Sequence, residues 1–381
     1  MTTYRHAQPS EARSRDGRRL AGLAVAGFVM VLSPVASPAH TKDSGVIAGV
    51  RVDNGNSPFA GDRTLLTTVS PNGDGFRDRA RIHFRLAAPT TVTLTIEHGP
   101  ARRLQAANQR TVHLAAGRHT LVWAPPPRIE PGTYLIRLEA APERYRATSS
   151  TAARRIPTPV IRVQGVDVHF TRESYRRGDR AVLVASTDAR HLHVDVLHSG
   201  PGRDPRQTNR DVFGERMAGS FDVSWAGRRT AASSIELHVG DWPSGLYFAK
   251  ITADDGRVGY APLVVRPSKL GEHRVAVVLP TSTWQAYNYE DGNGDGRGDT
   301  WYATWSRSAT VRLNRHYLGW GIPPYFRKYD LQFLHWLSRR GKAADFLTDT
   351  DLARVESAGA LLAAYDLSSS RDTTNTSRSA R

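Results

Sequence analysis

The sharpest chemical signal in the chain is Asp291-Gly-Asn-Gly-Asp-Gly-Arg-Gly-Asp299. Asp291, Asn293 and Asp295 stand at alternate positions, Gly296 permits a sharp turn, and Asp299 falls where a ninth-position ligand would. That spacing wraps oxygen ligands around a hard cation such as calcium. Tyr302 occupies the twelfth position in place of a bidentate glutamate, so a calcium site there needs another carboxylate, Glu290 or a distant one. The same residues suit a loop whose Asp and Asn side chains bond their own backbone. A shorter loop, Ser70-Pro-Asn-Gly-Asp-Gly-Phe-Arg-Asp78, offers Asn72, Asp74 and Asp78 to a cation, or forms a turn that holds none. His191 and His193 share one face of a strand by its period of two, a geometry that suits metal chelation. With His198 nearby and no further acid at matching spacing, exposed strand histidines are the plainer reading. The chain has no cysteine, which excludes disulfides, thiolate metal sites and Cys nucleophiles. It also has no G-x-S-x-G, H-E-x-x-H or phosphate-loop motif.

The elements that must position these loops are mostly strands. From Val46 to about residue 142 short alternating runs such as Ala80–Leu86 and Thr91–Ile96 are separated by turn signals, as in an immunoglobulin-like β-sandwich. Residues 143–158 read as a linker. A second sandwich is expected over 159–267, with strands at 181–185, 191–197 and 234–239. Its closing segment, Trp242-Pro-Ser-Gly-Leu-Tyr-Phe-Ala-Lys-Ile251, parallels Glu130-Pro-Gly-Thr-Tyr-Leu-Ile-Arg-Leu138 of the first block. The two blocks therefore read as distant copies of one architecture.

After Pro267 the pattern changes. Val275–Leu279 is a continuous apolar run, expected of a strand buried on both faces. The loop beyond it, Pro280 to Tyr289, lies at the carboxyl end of that strand, where ligands gather in α/β sheets. Its Trp284, Tyr287 and Tyr289 form either a functional rim or a packing surface against the second sandwich. A helix over 330–340 capped by Asp330, a strand over 344–347, a helix over 348–358 and a third strand forming over 361–367 give a parallel β-α-β-α order. Residues 368–381 are polar and low in complexity and are expected to be disordered. So few elements cannot cover a parallel sheet on both faces, so residues 272–367 are either a small appendix packed on the second sandwich or, as favoured here, a partial α/β domain of flavodoxin-like or glutamine amidotransferase-like kind, cut short near Leu367.

The N-terminus carries Arg13, Arg15, Arg18 and Arg19, then an apolar run from Leu20 to Leu32, then Ser37-Pro38-Ala39. This is a signal-peptide layout ending near residue 39, by the general secretory or the twin-arginine route, and it predicts a secreted or envelope-associated protein. No other stretch is apolar enough to span a membrane. The formal net charge is +16, nearly all of it scattered arginine. Without a basic run or an RNA-binding signature, that charge points to contact with anionic envelope polymers rather than nucleic acid.

Several motifs in order carry a family likeness. Trp242–Lys250, Tyr260–Pro267, Val277–Asn288, Gly292–Tyr302 and Phe346–Leu352 together resemble the large (beta) subunit of N,N-dimethylformamidase, over roughly 159–367. Ser70–Gly75 with Pro131–Tyr134 looks like the immunoglobulin-like domains of flagellar hook-capping proteins, over the first block only. The first resemblance implies metal-assisted hydrolysis of a small amide at an iron held by tyrosines and a glutamate. Tyr287 matches a tyrosine ligand, and Tyr329 is a second candidate. The family's glutamate would lie in a Gly-His-Glu-Glu-Tyr-like segment that this sequence does not contain, which implies a catalytic domain inactive alone. The alternative is a non-catalytic envelope protein whose sandwiches bind polysaccharide or protein.

Overall fold

The computed structural model describes residues 46–55, 57–98, 105–140, 144–145, 158–201, 211–302, 310–354 and 358–370. The expected signal peptide, most of the linker and residues 371–381 lie outside them.

The first sandwich is built from β1 (Ile47–Asp53), β2 (Leu66–Val69), β3 (Ala80–Leu86), β4 (Thr90–His98), β5 (Gln105–Leu114), β6 (Gly117–Trp123), β7 (Gly132–Ala140), β8 (Arg144–Tyr145) and β9 (Val160–Val163). One sheet runs β1-β3-β6 and the other β2-β9-β7-β4-β5, with β8 on the edge of β7. Alternation in β3 buries Ala80, Ile82, Phe84 and Leu86 and leaves Arg81 and Arg85 outside, as period two requires.

The second sandwich repeats this plan. Its strands are β10 (Asp167–Phe170), β11 (Ser174–Tyr175), β12 (Arg180–Ser186), β13 (His191–His198), β14 (Glu215–Arg216), β15 (Phe221–Ser224), β16 (Ser233–His238), β17 (Gly245–Ala253) and β18 (Val258–Val265). The sheets run β10-β12-β16 and β11-β18-β17-β13-β14. In both domains the second and last strands pair in parallel, β2 with β9 and β11 with β18. The repeat shows that Val160–Val163 closes the first sandwich, although it falls in the stretch read from sequence as the opening of the second. Its alternation is too short to reveal which sheet it joins.

Side chains repeat the correspondence. Tyr134 donates its hydroxyl to the Glu130 carbonyl (2.8 Å), and Tyr247 donates to that of Pro243 (2.7 Å). Each ring stacks on a histidine, His98 at 4.3 Å and His198 at 4.5 Å between centroids, and each also meets a tryptophan, Trp123 or Trp242. A buried tyrosine bonded to its own upstream backbone is the corner device of immunoglobulin-like sandwiches. Burial raises both phenol pKa values.

Beyond the second sandwich come β19 (Val275–Leu279), α1 (Thr281–Ala286), α2 (Phe326–Tyr329), α3 (Leu331–Arg339), β20 (Asp345–Thr348), α4 (Asp349–Leu352), α5 (Ala358–Ala363) and β21 (Leu367–Ser370). The three strands form an all-parallel sheet ordered β20-β19-β21. Three expectations are corrected here. Residues 368–370 are not a disordered tail, because their backbone pairs with Ala276–Val278 of β19, and backbone pairing needs no apolar side chain. The single helix expected over 348–358 is instead the short α4 and, further on, α5. Thr348 starts α4 by bonding the Asp351 amide while the Asp351 carboxylate bonds the Thr348 amide, a capping box. Asp330 does not cap α3, because its Oδ2 accepts from Trp284 Nε1 at 3.1 Å.

The sheet is also covered on both faces, as the alternative of an appendix packed on the second sandwich has it. On one face Val277, Leu279 and Phe346 join Leu246, Phe248, Tyr260 and Val264 of the second sandwich with Trp284, Phe326 and Leu334 in one core. On the other, Ala276, Val278 and Leu347 pack with Tyr365, Leu352 and Leu361. The second sandwich itself supplies one covering layer, so β17 is buried on both its faces from Gly245 to Ala249. Its counterpart β7 alternates like a half-exposed strand.

Candidate functional site

At the end of β19 the chain turns at Pro280 into α1 rather than an open loop. Trp284 and Gln285 point inward. Trp284 is 2% exposed and meets Phe326 edge-on at 5.9 Å, and Phe326 in turn touches Phe248 of β17 at 5.4 Å. Of the three aromatic residues foreseen as a rim, Trp284 is therefore packing against the second sandwich. Tyr287, at the carboxyl end of α1, is different. Its ring stacks on Tyr302 at 4.0 Å and 12° between planes, and it meets Tyr325 edge-on at 5.3 Å. Tyr325 in turn lies 6.0 Å from Tyr329.

Four tyrosine rings thus follow one another across the surface, and Tyr302, Tyr325 and Tyr329 are all exposed. Tyr289 joins them electrostatically. Partial burial raises its phenol pKa first, and the neighbouring phenols of Tyr325 and Tyr287 raise it further. Tyr325 adopts a left-handed backbone (φ 61°), sparsely populated by non-glycine residues. The buried Phe326 that follows anchors α2 beneath it. Tyr287 and Tyr329, singled out from the sequence, are brought into one chain of rings. Tyr302 and Tyr325, which complete it, carry no sequence spacing that reveals them.

The loop beyond Tyr287 is organised by a cation. Arg315 is 4% exposed, and its guanidinium donates to Gln285 Oε1 (3.0 Å) and to the carbonyls of Gln285 (2.6 Å), Asn288 (3.0 Å) and Glu290 (3.1 Å). The Glu290 carboxylate lies 3.7 Å from it. Burial lowers the Arg315 pKa, and Glu290 and Asp299 oppose that shift. Glu290, considered as a further calcium ligand, is thus beside this guanidinium.

The Asp/Gly loop itself uses its oxygens internally. Asp291 accepts from the amides of Asp295 (3.1 Å) and Gly296 (2.8 Å), Asn293 from that of Asp295 (2.8 Å), and Asp295 from that of Arg297 (2.9 Å). Burial raises Asp291 to about 6, with the Gly296 amide opposing. The loop glycines serve docking. Gly294 and Gly296 have φ of 67° and 80°, and a Cβ on Gly296 would stand 2.1 Å from Leu135 Cδ2 of the first sandwich. Arg63 of that sandwich donates to the carbonyls of Asn293 (2.8 Å) and Gly294 (3.1 Å).

The loop around Asn72 is likewise a joint. Asp78 accepts from the amides of Gly73 and Gly75, both at 2.8 Å, and Asp74 pairs with Arg229. Asn72 donates to Asp255 (2.9 Å) and Asp188 (3.4 Å), and Ser70 Oγ donates to Asp188 (2.5 Å), all across the boundary between sandwiches. Arg257 bonds Asp188 and Asp255 at the centre of this cluster. Among the described residues no group of three or more His, Cys, Asp or Glu side chains is placed to hold a metal ion. His191 is exposed, His193 bonds Asp222 at 2.7 Å, and His198 stacks on Tyr247, so the three histidines do not converge.

Comparison with known proteins bears on the second half of the chain. Residues 196–370 match the family described as "N,N-dimethylformamidase beta subunit-like, C-terminal". No curated protein matches the chain. Among solved structures it is similar to the BSP domain of a biofilm associated protein, at 13% identity and TM-score 0.19, over 59% of this chain and 30% of that one. It is also similar to Salmonella alpha-2-macroglobulin reacted with methylamine, at 8% identity and TM-score 0.28, over 58% of this chain and 16% of that one. The adhesin InvE of Yersinia pseudotuberculosis gives 14% identity and TM-score 0.19, over 57% and 60%. Scores this low fix no fold, and the architecture rests on the sheet pairings above. No helix among the described residues is long and apolar enough to cross a membrane.

Proposed function

We propose that this protein, whose residues 196–370 match the N,N-dimethylformamidase beta subunit-like family, is an exported amidase-like protein whose tyrosine rim engages a small amide with the help of a hard metal ion. The observation that carries the reading is the meeting of Tyr287, Tyr325 and Tyr329, distant in sequence, in one run of adjoining phenols. Phenolate oxygens are hard donors suited to ferric iron. Tyr287, Tyr325 and Tyr329 would hold it, and when bound it would supply a Lewis acid that polarises the amide carbonyl. The glutamate implied by resemblance would complete a ligand set of which these phenols are part. The chain's own residues fix the rim: Arg315 holds the loop that carries Tyr289, and Phe326 anchors Tyr325 and Tyr329. The order β20-β19-β21 with interleaved helices supports a flavodoxin-like or glutamine amidotransferase-like reading of residues 272–367.

A second reading is favoured by the exposure of Tyr302, Tyr325, Tyr329 and Trp336 on the same unit. Exposed aromatic faces pack against the apolar faces of sugar rings, so the rim could bind an envelope polysaccharide without catalysis. Metal analysis of the purified chain separates the two. Stoichiometric iron with a visible tyrosinate absorption band, both lost in Tyr287→Phe, supports the amidase reading. Iron-free protein that binds cell-wall polysaccharide, and loses that binding in Tyr325→Ala, supports the second. Calcium titration followed by calorimetry tests the two acidic loops, and no stabilisation at millimolar calcium would remove calcium from consideration.

A further inference from the structure

Ligands of α/β folds gather at the carboxyl ends of the parallel strands. In this chain a residue of the second sandwich reaches into that position. Glu173, just ahead of β11, extends between the ends of β19 and β20. Its Oε2 accepts from Thr281 Oγ1 of α1 at 3.0 Å and from Thr350 Oγ1 of α4. Its Oε1 is buried and accepts nothing. The side chain lines two adjoining hollows. One, of about 30 Å³, lies over Gln285 and Tyr317. The other, of about 110 Å³, is bordered by Arg172, Asn314 and Arg354 with apolar walls from Phe170 and Leu313.

A carboxylate oxygen buried without a donor is costly, and folded proteins keep very few such groups unpaired. A donor for it can come from what enters the hollow. A simple cation fits poorly, because Arg172 and Arg354 stand at the rim. A simple anion fits poorly, because Glu173 is backed by Asp349 and Asp351. A molecule that carries both charges satisfies both sides. We propose that this cleft binds a small zwitterion of the amino-acid class, its ammonium group donating to Glu173 Oε1 and its carboxylate facing Arg354, while Arg172 pairs with Asp179 (3.6 Å) and lies over the Tyr175 ring. Phe170 and Leu313 then receive an apolar side chain. None of the rim tyrosines lines the cleft, although Gln285 and Arg315, which hold the loop beyond Tyr287, do; a Glu173 substitution therefore tests the cleft without touching the rim.

The electrostatics supply a signature. Burial raises Glu173 to about 7 against the two threonine hydrogen bonds, and Asp349 and Asp351 add to the rise. His169, facing the same hollow, is lowered to about 4 by burial and by the nearby His316 and Arg312, so it is neutral at pH 7. Burial raises the Tyr317 phenol well above its ordinary value, so it is protonated there. Glu173 therefore changes charge near neutrality, and an ammonium ligand would drive its proton off.

The test is calorimetric titration of the full chain with glycine, L-alanine and L-leucine, and with N-acetyl-L-leucine and L-leucinamide as controls. The free amino acids should bind and release a fraction of a proton at pH 7, and the two blocked forms should bind at least about tenfold more weakly. Glu173→Gln keeps a carbonyl oxygen for the two threonines, so it should fold and lose at least about tenfold in affinity. Arg354→Ala, at the exposed rim, should narrow the gap between L-leucine and L-leucinamide. No amino-acid binding up to about 10 mM overturns the proposal, as does undiminished binding by folded Glu173→Gln. If that variant does not fold, equal discrimination by Arg354→Ala and the parent chain overturns it instead.

Discussion

Replacing Asp188 by alanine removes the carboxylate on which the two sandwiches converge. Asp188 is fully buried. It accepts from Ser70 and Asn72 of the first sandwich and from Arg257 of the second, while its backbone carbonyl accepts from Arg229. Burial disfavours the Arg257 charge, but Asp255 and Asp188 outweigh it and raise the pKa above its ordinary value. Asp255 would remain after the substitution, so Arg257 would not be wholly unpaired. Ser70, however, would lose the carboxylate that its hydroxyl donates to. Breaking a buried ion pair from one side costs about 3–5 kcal/mol. With Asp255 as partial compensation the lower end applies, about 3 kcal/mol. For a cooperative unit of this size that is a fall in Tm of roughly 6–12 °C.

Urea unfolding followed by tryptophan fluorescence and by circular dichroism measures the cost, and the double variant with Arg257→Met measures the coupling. The two substitutions together should cost clearly less than their sum, because the second removes the charge that the first exposes. Separate transitions by the two probes would show that the cluster also joins the domains into one unfolding unit. A loss below about 1 kcal/mol with additive variants would refute the reasoning, because an exposed pair behaves that way. It would mean that water fills the joint and that the sandwiches hold together elsewhere.

Three further outcomes follow from the same geometry. Glu173 binds its proton more tightly folded (about 7) than at its ordinary 4.5. The folded state therefore holds the extra proton, and stability should fall as pH rises from about 4.5 to 7, by up to roughly 3 kcal/mol. Glu173→Gln should flatten that part of the profile, read from denaturation midpoints across pH, and a slope left unchanged would count against burial of the carboxyl. Gly296→Ala forces a side chain into a left-handed position against Leu135, which should cost more than about 1–2 kcal/mol; a stabilised variant would show that the loop does not dock there. Arg315→Met strands three carbonyls and an amide oxygen, each worth about 1 kcal/mol, and should loosen the tyrosine rim. Faster hydrogen exchange over 285–302 would register it, and exchange unaltered there would exclude Arg315 as the organiser.

The strands were legible because alternation is local. Ala80–Leu86 emerged with the bounds its pattern predicts, and the Pro-Gly turns before Tyr134 and before Tyr247 announced equivalent strands. The hidden features depend on contacts distant in sequence. Val160–Val163 reads as the start of something new because its partners, β2 and β7, lie earlier in the chain. Ser368–Ser370 reads as tail because a parallel edge strand can pair through backbone alone. The acidic loops share one composition between a cation cage and a self-bonded turn, since both need oxygens at alternate positions and glycines between them. What separates the two is the neighbour: Leu135 beneath Gly296, and Arg229 against Asp74.

The same logic explains why the tyrosine rim was half visible. Tyr287 follows a buried strand and so stands out, whereas Tyr302 reaches it because Thr300 Oγ1 and the Trp301 amide both donate to the Ala286 carbonyl, and Tyr325 because the buried Phe326 follows it. The anchors are buried, and Tyr302 and Tyr325 are exposed. An exposed run of aromatic rings on a rigid base is costly to keep in water unless something covers or uses it. The rigid base also ties the rim to the sandwiches, since β17 and β18 supply its floor through Phe248 and Tyr260. The C-terminal unit therefore gains its form from the second sandwich as much as from its own sheet. A search for function that isolates residues 272–370 would remove the layer on which the rim is built.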